Sequence, residues 1–482
     1  MAKLAAKGRA PRKKDVAGLA KALKETKMTK EEWKAAQKKI DNSKWQPPEY
    51  MKVSHGKGHT VYRDETYHVV CRFTEKTKIA YRPHAKAPGT KSHARYEKYA
   101  KAKTVGQALD LKCYPQDWCW DYERGYLKVS GPLRAEPIDS TTLLDDNMLS
   151  KVDRKVMGWA KKEIAKKYGL KVEELAVDKS GNESILMRAH RLVSQREAKR
   201  ILAEDRAITD DDAAKVLSEW GFAKNATRQN VMQEGRQWVW SDTLGLIRDR
   251  VGDIHITPPA NTYPEVMQLL NRWLLDRLPS EAAGFCWTSL NLNKDYAARI
   301  HRDGNNFGPS MISAFGDFTG GHLRYYPEDD GKVEVDKLEE SRGSQAQKFD
   351  LKSGLALFNG NCAHSVEDFS GNRFSIVYFT VGCHRQMPQE SRDALSKLHC
   401  QVPSTDIDPF QLIRPPVGYG KAAQYKEARK SGTSSPEKTL KLPGSRYWKN
   451  SQLKVKKTTL AAKSGKQKVS PGKAKADAKS KR

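Results

Sequence analysis

"RIHRDGNNFGPSMISAFGDFTGGHLRYY", Arg299 to Tyr326, reads as two apolar strands joined by turn residues. At the end of the first strand a histidine and an aspartate stand two positions apart, His301 and Asp303. Alternate strand residues share a face, so these two side chains are expected to project together into the interior, with Arg299 beside them. A buried imidazole, carboxylate and guanidinium are costly unless each meets a partner or a metal.

The flanking sequence shows what kind of interior this is. "WVWSDTLGLI" is strand-like, and "YPEVMQLLNRWLLDRL" carries leucines at helical spacing. Short strand patterns with turn punctuation follow, among them "GFCWTSLNLN", "GGHLRYY", "QKFDLKSGLALFNG", "CAHSVEDF" and "NRFSIVYFTV". A helix followed by seven or more short strands predicts a β-sandwich or barrel.

Of the twelve histidines, only His301 begins an H-x-D. A second imidazole comes from His364, after a Phe358-Asn359-Gly360-Asn361 turn that reads as a hairpin signal. Two imidazoles and a carboxylate on facing strands form the facial triad that holds non-haem Fe(II) and leaves coordination positions open. Arg373 and Ser375 then share one face of an otherwise apolar strand. An inward guanidinium beside an inward hydroxyl suits the far carboxylate of a buried dicarboxylate.

H-x-D, then His, then Arg-x-Ser resembles the Fe(II)/2-oxoglutarate-dependent dioxygenases, over roughly residues 237–383. "HRDGNNFGPSMISAFGDFTGGHL" is most similar to their nucleobase branch, which includes the ten-eleven-translocation methylcytosine dioxygenases and the base-J thymine hydroxylases. The resemblance implies an α+β chain whose oxygenase domain is a double-stranded β-helix, or jelly roll. It implies His301, Asp303 and His364 as catalytic iron ligands, with Arg373 and Ser375 on 2-oxoglutarate. Asn293, Tyr296 and Arg299 are placed near that cosubstrate, and Asn305, Asn306 and Phe307 on a substrate loop at the mouth. O2 is the second cosubstrate and ascorbate the reductant. His322 departs from the pattern, which commonly has an acidic residue after Gly-Gly, and no cysteine-rich zinc domain lies upstream.

Other readings stay open at this point. The three ligands suit a structural metal site or a zinc hydrolase, although neither uses the inward Arg-x-Ser. The substrate could be a methylcytosine or thymine in DNA, or a prolyl or lysyl side chain of a basic chromatin protein. A non-catalytic nucleic-acid-binding protein on the same scaffold is the third possibility.

The net charge of +29 points to an acidic partner. It is concentrated at the ends, with +9 in residues 1–44, +16 in 421–482 and +4 between them. The arms are expected to be disordered and to bind nucleic acid, with Ser435 and Ser470 in Ser-Pro-x-Lys elements. Seven cysteines without a CxxC pair read as reduced thiols, and no apolar run approaches a membrane span. "GRAPRKK" (8–14) reads as a nuclear-import signal in preference to a mitochondrial or plastid leader.

The expected organisation is a basic arm at 1–44, a small mixed module at 45–135 and a helical connector at 136–230. The dioxygenase domain at 231–395 and an extension with a Lys-rich tail at 396–482 complete it. In the module, "HTVYRDETYHVVCRF" and "RGYLKVSG" read as strands and "HARYEKYAKAKTVGQALDL" as helix. The basic-aromatic stretch 86–103 suits either base stacking or a helix with its tyrosines in the core, the latter favoured. Trp118, Trp120 and Tyr122 are expected in the core.

Overall fold

The computed structural model of the protein describes residues 28–53, 61–138, 148–176, 183–342, 346–404, 408, 410–415 and 441–456. It is a mixed α+β structure with antiparallel sheets. The import-signal stretch, Ser435, Ser470 and most of both arms lie outside the described residues. No helix among those described is long and apolar enough to cross a membrane.

In the N-terminal region, strands β1 (Lys78–Tyr81) and β2 (Leu127–Gly131) pair antiparallel beside short helices. Tyr67, Phe73, Tyr96, Tyr99 and Trp118 fill a core closed by Val152, Val156, Ala160 and Ile164 of the helix Lys151–Tyr168. Those four residues recur every four positions and so share one helix face. Ser150 caps the helix by accepting from the Asp153 amide, and Gly169 ends it in the left-handed conformation, φ 60°.

Two expectations are corrected here, and the favoured reading of 86–103 as a helix with its tyrosines in the core is met. Part of "HTVYRDETYHVVCRF" is the helix Asp64–Val70, not a strand. Tyr67 and Val70, one turn apart, reach the core, and Asp64 and Glu65 complement the helix's positive end, so packing overrides the β-branched composition. The 86–103 stretch turns its tyrosines inward while Lys86 and Arg95 pair with Asp121 and Asp117, at 2.9 and 2.5 Å. Trp118 is buried, but Trp120 is 44% exposed beneath the Arg124 guanidinium.

The helical stretch beyond is divided between two cores. Ile185 and Ala189 of the helix Ile185–Leu202 belong to the first, and Ala198 and Ile201 to the second. Thr209 caps the helix Asp210–Glu219, and the helix Pro264–Arg277 packs beside it. The stretch is not helical to residue 230, because Lys224–Asn225 forms strand β3.

The large C-terminal sheet also contains β4 (Val239–Arg248), β5 (Ile254–Ile256), β6 (Ser289–Lys294) and β7 (Ser310–Phe315). The strands that follow are β8 (Phe318–Gly320), β9 (Leu323–Tyr325), β10 (Gln347–Phe349), β11 (Gly354–Phe358) and β12 (His364–Val366). Last come β13 (Phe369–Gly371), β14 (Phe374–Phe379) and β15 (Arg446–Lys449). The large sheet runs β15-β11-β7-β14-β6-β4-β3, with β5 on β4. A smaller sheet runs β10-β9-β12, and β13 pairs with β8.

Strand alternation explains why the central strands are apolar on both faces. Met311 and Phe315 of β7, and Ile376 and Tyr378 of β14, join Trp273 and Leu270 in the helix-covered core. Ile312 and Ala314 face the other way and meet Phe318, Leu323, Tyr325 and Phe358. Each such large side chain contributes roughly 1.5–3 kcal/mol by leaving water. Val377 and Ser375 of β14 face a cavity on this second side.

Two further corrections concern the ends of strands. The Asn359-Gly360 turn does not close a hairpin. β11 pairs with β7 and β15, whereas β12 pairs with β9, so the turn carries the chain from one sheet to the other. Within the C-terminal arm, residues 441–456 are folded. Arg446–Lys449 is an edge strand on β11, with Trp448 buried and its indole donating to Glu281. Its aromatic pair stabilises it despite the surrounding lysines.

Candidate metal and anion site

The chain around His301 is not a regular strand. It is held by separate bonds, from the Arg299 amide to the Val231 carbonyl and from the Asp303 amide to the Gly360 carbonyl. Between them His301 and His364 exchange both backbone hydrogen bonds, each 3.0 Å, which sets the two imidazoles opposite each other. Their ring centroids are 4.2 Å apart.

His301 Nδ1 lies 2.8 Å from the Arg299 carbonyl and His364 Nδ1 lies 2.9 Å from the Cys362 carbonyl. A carbonyl only accepts, so each Nδ1 carries the proton and each Nε2 presents a lone pair. Burial, and then the facing His364, hold the His301 imidazole well below its ordinary pKa.

Asp303 is oriented as firmly. Asn306 Nδ2 donates to its Oδ2 at 2.9 Å, and Asn361 Nδ2 donates to its carbonyl at 2.7 Å. Gly360 passes so close that a Cβ there would sit 2.7 Å from Oδ2. His301 Nε2 and Asp303 Oδ1 are 3.7 Å apart, and one ligand atom from each of His301, Asp303 and His364 falls within 4.8 Å of the others. It is the one such group among the described residues. Two neutral nitrogens and one carboxylate oxygen, with water-sized space beside them, fit a divalent first-row metal with open positions.

That space is a cavity of about 110 Å³ reaching from the triad to Arg373. Arg373 is 2% exposed and stands just before β14. Its guanidinium lies 5.4 and 5.6 Å from the Phe318 and Phe369 ring centres. Its Nε has no hydrogen-bond partner, and among the described residues it pairs with no carboxylate. Burial lowers its pKa to about 10. Gly321 makes room, since a Cβ there would sit 2.9 Å from that Nε. Such a cation is incomplete until an anion meets it.

Between the triad and Arg373 runs a polar wall. Tyr296 donates to Asn293 Oδ1 at 2.7 Å, and Asn293 Nδ2 reaches Ser375 Oγ at 3.4 Å. Arg228 enters the same wall with bonds to Asn291, at 3.0 Å, and to Tyr296. Sequence reasoning missed Arg228, which lies in an irregular segment with no periodicity. Asn291, two positions before Asn293 on β6, was available from strand alternation.

The cavity thus brings together His301, Asp303, His364, Arg373, Ser375, Asn293 and Tyr296. Arg299 is not among them. Its side chain is exposed and donates to the Asn230 carbonyl, because the segment is not a regular strand and the alternation that would share its face with His301 does not hold there. The expected substrate loop is divided, with Asn306 lining the cavity and Asn305 and Phe307 outside it. Asn306 and Phe307 are buried, one holding Asp303 and the other against His384, and of the three only Asn305 is exposed. His322 pairs with Glu367 at 3.3 Å.

No protein-family model matches the chain, and none of the curated proteins matches it. Among solved structures it is similar to NgTET1 in complex with 5mC DNA, at 16% identity and a TM-score of 0.21. That likeness covers 29% of this chain and 60% of the other, so the chain spans less than two thirds of that structure. It is also similar to a prolyl-4-hydroxylase from Pseudomonas putida, at 14% identity and a TM-score of 0.18, over 39% of this chain and 92% of that one.

Proposed function

We propose that the chain is an Fe(II)- and 2-oxoglutarate-dependent dioxygenase, built on a double-stranded β-helix, that hydroxylates a C–H bond of a nucleobase in DNA. The observation that carries this reading is the unpaired, buried Arg373 across one small cavity from His301, Asp303 and His364. A structural metal site has no use for that cation, and a zinc hydrolase leaves it unexplained.

His301, Asp303 and His364 would hold the metal, which with bound 2-oxoglutarate and O2 supplies the oxidising chemistry. Arg373 grips the far carboxylate of the cosubstrate, and Ser375 adds a hydrogen bond. Asn293 and Tyr296 orient its near end. Leu323, Phe358, Ile312 and Val377 exclude water, which strengthens each of these contacts. The backbone carbonyls on both Nδ1 atoms keep the imidazoles aimed at the metal.

The nucleic-acid substrate is supported by charge. Arg236 and Arg299 donate to backbone carbonyls, and neither pairs with a carboxylate among the described residues. With the basic arms they suit a phosphate backbone from which the target base is flipped. Removing 421–482, at +16, should weaken duplex binding more than removing 1–44, at +9, with affinity falling steeply with salt in anisotropy measurements. Incubation with Fe(II), ascorbate, 2-oxoglutarate and either duplex DNA or histone tests the reaction. Succinate formed in step with an oxidised nucleoside is expected by mass spectrometry. Oxygen gained by histone would move the substrate to a protein side chain, and no succinate in either arm would overturn the class.

A further inference from the structure

The residue between the two ligands of the H-x-D is Arg302, and it points away from the cavity. Its Nε and one terminal nitrogen donate to the two oxygens of Asp329, at 2.6 and 2.7 Å, and it also donates to the Val333 carbonyl at 2.8 Å. Asp329 Oδ2 accepts in addition from the amide of Ala363, at 2.7 Å. Ala363 is the residue before His364. One carboxylate, its side chain 1% exposed, therefore spans the two backbone segments that carry the metal ligands.

The surroundings reinforce this. Ile300, Tyr326, Leu338 and Ala363 form a small hydrophobic cluster on the same side. The residues before and after the ligands are thus packed and ion-paired to segment 327–338. Burial would raise the Asp329 carboxyl, but hydrogen bonds from Arg302 and the Gly331 and Ala363 amides outweigh it and keep it ionised.

We infer that Asp329 is a positioning residue for the metal site, which fixes the separation of His301 and His364 by holding Arg302 and the Ala363 amide at once. This rests on the reading of His301, Asp303 and His364 as metal ligands. The two segments are joined by the reciprocal pair at His301 and His364 and by single bonds from the Asp303 amide to the Gly360 carbonyl and from the Val366 amide to the Ala298 carbonyl. These bonds all act between the two segments, and the Arg302–Asp329–Ala363 clamp adds a restraint from a third, tying the residue after His301 and the residue before His364 to one carboxylate. Segment 327–338 is then linked to metal occupancy, and linkage is reciprocal: what tightens the metal is tightened by it.

Cobalt(II) titration, followed by its visible absorption, tests this without relying on turnover. Asp329→Asn keeps the shape but loses the charged fork, and should bind cobalt about 10–100-fold more weakly, the range for lost outer contacts to metal ligands. Phe73→Leu, in the N-terminal core, should lower the unfolding temperature and leave cobalt affinity unchanged, which separates positioning from general stability. Asp329→Glu should recover part of the affinity. If Asp329→Asn does not fold, hydrogen exchange in the unaltered protein decides the matter. Cobalt should slow amide exchange across 327–338 and leave 64–70 unchanged. Equal cobalt affinity in folded Asp329→Asn, or no added protection at 327–338, overturns the inference. If the unaltered protein binds no cobalt, the metal reading fails and this inference falls with it.

Discussion

Lys86 and Arg373 are both cations taken out of water, and their surroundings treat them in opposite ways. In the N-terminal core, Lys86 meets Asp121 at 2.9 Å, Arg95 meets Asp117 at 2.5 Å and Arg134 meets Asp153 at 2.7 Å. Each charge has its counter-charge within the chain. At the C-terminal cavity the Arg373 guanidinium has aromatic rings and a carbonyl around it and, among the described residues, no ion pair, the nearby Asp295 carboxylate accepting from the Arg373 backbone amide instead. Arg373 is the more deeply buried, yet only the N-terminal cations are offset by carboxylates of the chain. A paired buried ion belongs to the fold, whereas an unpaired one beside open metal ligands is set up for something that arrives from solution.

The largest effect expected on this contrast is from His364→Ala, which should reduce metal-dependent succinate formation to background while the unfolding temperature changes little. Next is Trp118→Ala. Emptying that buried site should cost about 3–5 kcal/mol in urea unfolding. The same change should leave cobalt affinity as it was, because the two cores are separate clusters. Coupling between the two would break the comparison.

The smallest effect concerns acid. Burial works against the Asp64 carboxylate, but hydrogen bonds from His190, Lys167 and Tyr168 hold it far below the ordinary range. A depressed carboxyl contributes stability that is present above its unfolded pKa, near 4, and is lost as pH falls below it. Asp64→Asn should therefore lower stability at pH 7 by under about 1 kcal/mol, since the group is partly exposed. The difference should shrink toward pH 3.

The parts of the site written at short range were legible in the sequence. His301 and Asp303 share a face because they are two apart, and Arg373 and Ser375 do so for the same reason. Arg228, Asn361 and Asp329 were not legible, because each reaches the site from a loop or turn whose position depends on the whole fold. The same limit explains the N-terminal errors. The Thr66–Val70 run has strand composition, yet two residues a turn apart found a core and made it a helix. In the C-terminal arm the lysines hid "RYWK", whose two aromatics were enough to add a strand.

The central claim is that the cavity pairs a metal with a dicarboxylate held by Arg373. Calorimetric titration of 2-oxoglutarate, without oxygen, into the manganese-loaded protein and into Arg373→Met addresses it most directly. The account predicts saturable binding that requires the metal, weakened in Arg373→Met by about 10–150-fold, as expected for losing about 1.5–3 kcal/mol of charged hydrogen bonding. Equal binding by both proteins, or binding unaffected by stripping the metal, would contradict it.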